Sequence, residues 1–136
     1  MLKDLKIVEC HEKYWDFVRE LRNNPIVQEG FIEKANISKE NQIIYMKKNS
    51  HNYRICLKNN VPVGYFGVLD NDIRICTSPK YQNQGIGKFM LKELKKIWPG
   101  AVAKVKVQNN ASKALFLKSG YFETFIILEN KDIKGN

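Results

Sequence analysis

Apolar residues recur along this chain with two periods, and the switches between them mark out the elements. Residues 5–9 read as a first strand. Residues 12–22 change period and set Tyr14, Trp15, Val18 and Leu21 on one side of a helix. Asn23-Asn24-Pro25 ends it, because proline disfavours helix in the residue before it. Residues 26–37 have no sustained period and read as irregular or weakly helical. Ser38 is a good cap for a second helix reaching about Asn49, with Glu40 favourable in its first turn. Two apolar runs, 53–57 and 63–69, follow as a hairpin turning at Asn59-Asn60, since asparagine tolerates positive φ. Asp70-Asn71 makes a second tight turn into the run 72–76. Residues 86–98 return to helical spacing with Ile86, Met90, Leu94 and Ile97, and Pro99-Gly100 stops them. Residues 101–107 alternate apolar positions with Lys104 and Lys106, the pattern of a half-buried strand. Asn109 or Asn110 caps another helix, which Gly120 ends. Residues 121–128 predict a last strand or a bent pair of strands, and 131–136 a frayed tail.

Strands and helices therefore interleave without repeats, low-complexity tracts or a linker, an α/β pattern in one domain over residues 1–136. The aromatic residues are numerous enough to fill one core. No run approaches the length that spans a bilayer, and Met1-Leu2-Lys3-Asp4-Leu5 lacks the apolar region of a signal peptide. Cys10, Cys56 and Cys76 are odd in number and widely spaced, which suits reduced thiols and a cytoplasmic protein. His11 and His51 are isolated, so no metal site is expected. The net charge of +9 suits an anionic partner or simply a soluble surface. Lys88, Lys92, Lys95 and Lys96 fall on the outer side of the third long helix, where charge is usually solvated. No recognition-helix pattern or aromatic RNA platform points to nucleic acid.

The chemistry concentrates after residues 73–77. Gln82, Asn83, Gln84, Gly85, Ile86, Gly87 and Lys88 join that strand to the helix beginning at Ile86. A helix N-terminus leaves N–H groups unpaired and carries partial positive charge, and glycines let an anion approach. A P-loop fails here, because Phe89 follows Gly87-Lys88 and Gln82 takes the first glycine position. A dinucleotide fingerprint fails at Met90. What remains is Q-x-x-G-x-G, Gln82 to Gly87. A second segment starts at Asn109 and runs through Ser112, Leu115, Phe116, Lys118 and Gly120 to Tyr121, in the form N-x-x-[AS]-x-x-L-[YF]-x-K-x-G-[FY].

Together these segments resemble the GNAT acyltransferase superfamily, the first being similar to its pyrophosphate loop for acetyl-CoA. The likeness is good over roughly residues 60–121. It implies a mixed, mostly antiparallel central sheet, splayed at its middle strands, with helices on both faces. It also implies an N-acetyltransferase moving an acetyl group from acetyl-CoA to the primary amine of a small acceptor. By the same resemblance, backbone groups of Ile75, Cys76 and Thr77 hold the pantetheine arm and the amides of 84–88 hold the pyrophosphate. Asn109, Ser112 and Phe116 line the arm, and Lys113 or Lys118 reaches phosphate.

The family often has a tyrosine, as proton donor to the thiolate, where Phe116 stands here. Water, Ser119, Tyr121 or Tyr81 are the substitutes, unless the thiolate leaves unprotonated. For the base, Asp70, Asp72 and Glu123 lie near strand ends. Arg22-Asn23-Asn24-Pro25, with Phe31 and Tyr45, looks like the acceptor region of relatives that acetylate amino sugars linked to nucleotides. It is also similar to relatives acting on protein N-termini. The expected site is therefore Asp72, Glu123 and Tyr121 for proton transfer and Arg22, Asn23, Phe31 and Tyr45 for the acceptor. The protein is expected to act as a monomer or homodimer, with neither nucleic acid nor membrane as partner. The rival class is a non-catalytic acetyl-CoA-binding module.

Overall fold

Two tight turns set the sheet in the computed structural model, which describes residues 4–32 and 34–134. Asn59 and Asn60 have φ of 50° and 66°, and Asp70 and Asn71 have 51° and 64°. Paired positive φ values give a turn whose twist matches that of the flanking strands. They join β2 (Tyr53–Lys58) to β3 (Val61–Leu69) and β3 to β4 (Asp72–Thr77). With β1 (Leu5–Glu9) against β2, the result is an antiparallel sheet in the order β1-β2-β3-β4. Tyr65 of β3 lies opposite Ile55 on one side and Cys76 on the other. Gly64 is required by close packing, since a Cβ there would stand 2.7 Å from the Cys76 carbonyl oxygen.

Helices cover both faces. On one face α1 (Trp15–Asn23) and α3 (Lys39–Asn49) bury Val18, Leu21 and Met46 against Tyr53, Ile55, Leu57 and Tyr65. Buried Gln42 ties the two helices together, its Nε2 donating to the Trp15 carbonyl at 2.7 Å. On the other face α4 (Ile86–Ile97) and α5 (Asn110–Lys118) bury Ile86, Met90, Leu91, Leu94 and Phe116 against Cys56, Phe66, Val68 and Ile73. Burying each such aliphatic side chain contributes about 1.5–3 kcal/mol. Ile97, expected on the buried stripe of α4, is exposed, and Leu91 takes its place. The short α2 (Pro25–Gln28) starts with Asn24, whose side chain accepts from the Ile26 amide.

Two expected strands do not form. Residues 101–107 contribute only one parallel bridge, Asp72 to Val102. Residues 121–128 join no ladder, and Phe122 and residues 125–128 are exposed. The alternation at 101–107 and the β-formers at 121–128 are present in the sequence. A strand needs a partner backbone as well as a pattern, and neither segment finds one among the described residues. Residues 131–134 form a helical turn, α6 (Lys131–Lys134), rather than the expected frayed tail; its remainder, 135–136, lies outside the described residues.

Candidate active site

β4 has one paired edge and one that opens. The Ile73 amide donates outward to the Val102 carbonyl at 2.9 Å, whereas the Ser78 amide donates to Val63 of β3 at 2.8 Å. Backbone direction alternates along a strand, so Ile75 and Thr77, like Ile73, turn their N–H and C=O away from β3. Beyond the bridge at Val102 no strand meets them among the described residues. The sheet thus splays after Val102, leaving an edge for an extended amide chain. Cys76 lies between the two, its backbone toward β3 and its side chain buried.

The open edge leads to the glycine loop. Pro79 to Tyr81 form a 3-10 turn, Asn83 has φ of 63°, and Gly85 caps α4 with φ of 81°. That left-handed conformation and the missing side-chain cap are the reasons for glycine. Among the described residues, the amides of residues 84–88 have no backbone or side-chain acceptor. Gln82, Asn83, Gln84 and Lys88 are exposed around this helix start. Lys58, at the end of β2, donates to Gln84 Oε1 at 2.7 Å and adds positive charge beside the loop. Ile86 differs from its neighbours in being a core residue. Gly87 meets α5, where a Cβ would stand 3.0 Å from Leu115 Cδ2.

In α5, Asn109 accepts from the Ser112 amide at 3.1 Å, so its Oδ1 caps the helix. Its Nδ2 approaches Gly30, where a Cβ would lie 3.0 Å away, and Lys106 Nζ donates to the Glu29 carbonyl at 3.3 Å. The loop after α2 is therefore drawn toward Asn109. Phe116 is buried, edge-on to Tyr121 at 5.2 Å between ring centroids. Tyr121 in turn sits 5.4 Å from Lys95 Nζ, about two turns along α4 from Gly87. Burial raises its pKa. Lys118 is exposed, and Lys113 pairs with Glu123 at 3.0 Å.

The face of the sheet under α1 and α3 carries a second cluster. Arg22, in the last turn of α1, stands 5.6 Å from the centre of the Tyr45 ring. The Tyr45 hydroxyl lies 2.7 Å from that of Tyr53, and the Tyr53 ring is 6.0 Å from that of Tyr65. Burial pushes the Tyr53 and Tyr65 phenols well up, with the positive charges of Arg22 and Arg74 opposing. Arg74 is held by Asp72 at 3.6 Å. Asn23 donates to and accepts from Ile37, at 2.9 and 2.8 Å, which pins the loop before α3. Phe31 is half-buried in that loop. Arg22 and Tyr45 are thus brought together, and Glu123 is on the opposite side with α5. Arg74, Tyr53 and Tyr65 were not singled out from sequence. The signal was the alternation of Asp72, Arg74 and Cys76 on one face of β4, opposite Tyr65.

The three thiols are buried. Burial pushes Cys10 up to about 11, with Arg54 opposing, and Cys56 and Cys76 up to about 12. They are therefore protonated at neutral pH. Among the described residues no cluster of histidine, cysteine or carboxylate side chains is suited to a metal ion. No helix among them is long and apolar enough to cross a membrane.

The sheet opens beside its fourth strand and leads to an uncapped helix start, which places an edge for an extended amide chain next to an anion site. The sequence profile of the Acetyltransferase (GNAT) family matches residues 8–121, and the chain belongs to that family, an acyltransferase class. Among solved structures, the fold is similar to that of spermidine N-acetyltransferase from Vibrio cholerae in complex with CoA and spermine. That match has a TM-score of 0.82 at 14% identity, covering 93% of this chain and 86% of the other. The Salmonella typhimurium protein yncA, solved with its cofactor acetyl-CoA, matches at TM-score 0.75 and 18% identity, covering 90% and 82%. The aminoglycoside acetyltransferase AAC(6')-Ib with coenzyme A matches at 0.71 and 15%, covering 88% and 85%. No curated protein sequence matches the chain at a significant level.

Proposed function

We propose that this protein transfers the acetyl group of acetyl-CoA to the primary amine of a small, negatively charged acceptor, an amino sugar linked to a nucleotide. The observation that carries the donor half is the open edge of β4, with Ile75 and Thr77 turned outward and the start of α4 at its end. The edge fits the amides of a pantetheine arm, which would bind as an added strand does. The free amides of 84–88, with Lys58 and Lys88 beside them, fit a pyrophosphate. Family membership and the CoA in the cited relatives support the same donor.

In the transfer, the amine nitrogen bonds to the acetyl carbon as the carbon–sulfur bond breaks, and CoA leaves as its thiolate. A CoA thiol is about as acidic as free cysteine, so that departure is tolerable near neutral pH. An outward N–H on β4 polarises the thioester carbonyl, and holding both reactants on one sheet removes most of the entropic barrier. The buried, protonated Cys76 is a poor nucleophile, which favours direct transfer over an acetyl-cysteine intermediate. We take Asp72, paired with Arg74 at 3.6 Å, as the group that receives the amine proton through water.

For the acceptor, Arg22 and Arg74 flank the three tyrosines. Two guanidiniums suit an anion and repel a polyamine, unlike the spermine of the Vibrio protein. We assign the work to the cytoplasm, which suits three free, unpaired cysteines. A CoA-release assay over a panel of amines tests this reading. Arg22→Ala and Arg74→Ala should each raise KM for a nucleotide-linked amino sugar about tenfold, the loss of one charged hydrogen bond. KM for an uncharged amino sugar should barely move. Preference for polyamines over the anionic acceptor would overturn the acceptor assignment and leave the donor half standing.

A further inference from the structure

The sheet face under α1 and α3 holds donors without acceptors. Tyr65 is 3% exposed, yet its hydroxyl has no hydrogen-bond partner among the described residues. Among those residues only Gln42 Oε1 and Ser119 Oγ are both sealed and unbonded, so the Tyr65 hydroxyl faces space that solvent reaches. Arg22 is half-buried and stacks on Tyr45, and no carboxylate among the described residues stands within ion-pair distance of it. Arg74 has Asp72 at 3.6 Å, beyond hydrogen-bond range, so its guanidinium keeps donors to spare. A half-buried cation without a counterion marks a place for an anion.

Register brings these three groups together. Tyr65 lies opposite Cys76, and Arg74 precedes Cys76 by two on the same face, so Tyr65 and Arg74 are diagonal neighbours. Gly67, opposite both Tyr53 and Arg74, clears the floor between them. A Cβ there would stand 2.8 Å from Tyr53 Cδ1, so the Tyr53 ring lies over β3. That ring is 6.0 Å from the ring of Tyr65, and its hydroxyl meets that of Tyr45, on which Arg22 stacks. Arg22 from α1 and Arg74 from β4 thus approach Tyr65 from two elements. Both charges act on its phenol, but burial outweighs them and keeps it protonated, a neutral donor at neutral pH.

We infer that Arg22, Arg74 and the Tyr65 hydroxyl form a phosphate subsite, in which the acceptor's pyrophosphate rests on both guanidiniums and accepts from Tyr65. The inference rests on the reading of this face as the one that binds the acceptor. The donor set argues for phosphate over carboxylate. One guanidinium fork saturates the two oxygens of a carboxylate, whereas a pyrophosphate spreads its oxygens tetrahedrally and takes two forks and a hydroxyl. Tyr65 is then a specificity residue. The subsite is also apart from the donor's anion site, which lies beyond Thr77 at the start of α4, while Arg74 lies on the other side of Cys76.

The test is titration calorimetry of the full chain saturated with CoA, which fills the donor's anion site, with inorganic pyrophosphate as the probe. Pyrophosphate should bind the CoA-loaded protein, and malonate, a dianionic carboxylate, at least about tenfold more weakly. Tyr65→Phe should weaken pyrophosphate about tenfold, the loss of one hydrogen bond to a charged group. That variant keeps every charge and the ring, so general attraction to a chain of net charge +9 is unmoved. Its acetyl-CoA affinity and thermal midpoint should stay at wild-type values. Arg74→Lys, at an exposed position, keeps the charge but loses the fork and should weaken pyrophosphate likewise. In turnover of a nucleotide-linked amino sugar, Tyr65→Phe should raise KM and leave kcat. Absent pyrophosphate binding, equal binding of malonate, or unchanged affinity in either variant overturns the subsite. The titration uses no amine, so its failure is distinct from that of the acceptor reading. Pyrophosphate binding that depends on Tyr65, in a protein that prefers polyamines, would uphold the subsite and remove only the amino sugar.

Discussion

Gly85 is the residue on which the donor site turns. Its φ of 81° is strained for any side chain, by about 1–2 kcal/mol, and worst for a β-branched one. A valine would also place methyl groups where an anion must approach the amides of α4. Gly85→Val should therefore weaken acetyl-CoA binding at least tenfold while the fold survives. Titration calorimetry beside a thermal melt separates the two effects, and unchanged affinity in a folded variant would remove the loop from the site. Phe116 teaches a different lesson. Its motif position made it a candidate lining of the pantetheine arm, and its ring is part of the core, packed on Tyr121. Phe116→Ala should cost about 3–5 kcal/mol through the cavity it leaves, so its effect on turnover reports packing before chemistry.

Among the elements, α4 carries one side of the sheet and also presents the loop amides. Leu94 is fully buried, and its contacts are with the strand face rather than with the site. Leu94→Ala should destabilise the protein by about 2–5 kcal/mol in urea unfolding, with kcat retained while the chain is folded. A loss of kcat without a loss of stability would contradict that division of labour. The hairpin turns were legible because Asn59-Asn60 and Asp70-Asn71 advertise positive φ locally. The helix cap Ser38 was legible for the same reason, and the cap of α5 was narrowed to Asn109 or Asn110, each cap being a local bond; that Gly85 caps α4 was not read from the sequence. The loss of strands at 101–107 and 121–128 was not legible, because pairing depends on a partner backbone distant in sequence. Arg74 was missed likewise: only the register of β4 against β3 brings it to the face that Arg22 and Tyr45 share.

Across the whole molecule, both cores enclose groups that ionise in alkali, so stability must depend on pH there. Cys10 is raised from 9.0 to about 11, and Cys56 and Cys76 to about 12, burial being the largest cause in each. The Tyr53 and Tyr65 phenols are raised further by burial, and Tyr45 adds to the shift at Tyr53. Each group is raised in the folded state, so its contribution is fully present below the unfolded value and lost as pH rises through the folded one. Well below pH 9 the thiols are neutral in both states and contribute no slope. Above it the unfolded chain releases protons that the folded chain retains. Unfolding should then become easier by up to about 1.4 kcal/mol per pH unit for each thiol. The decline should continue until the folded thiols titrate near 11 to 12, with the phenols joining above pH 10. Urea midpoints at neutral pH and at about pH 10 would read the difference, and Cys56→Ala should remove one thiol's share of the slope. A midpoint that holds steady or rises across that interval would mean that the thiols are not enclosed as the two cores place them.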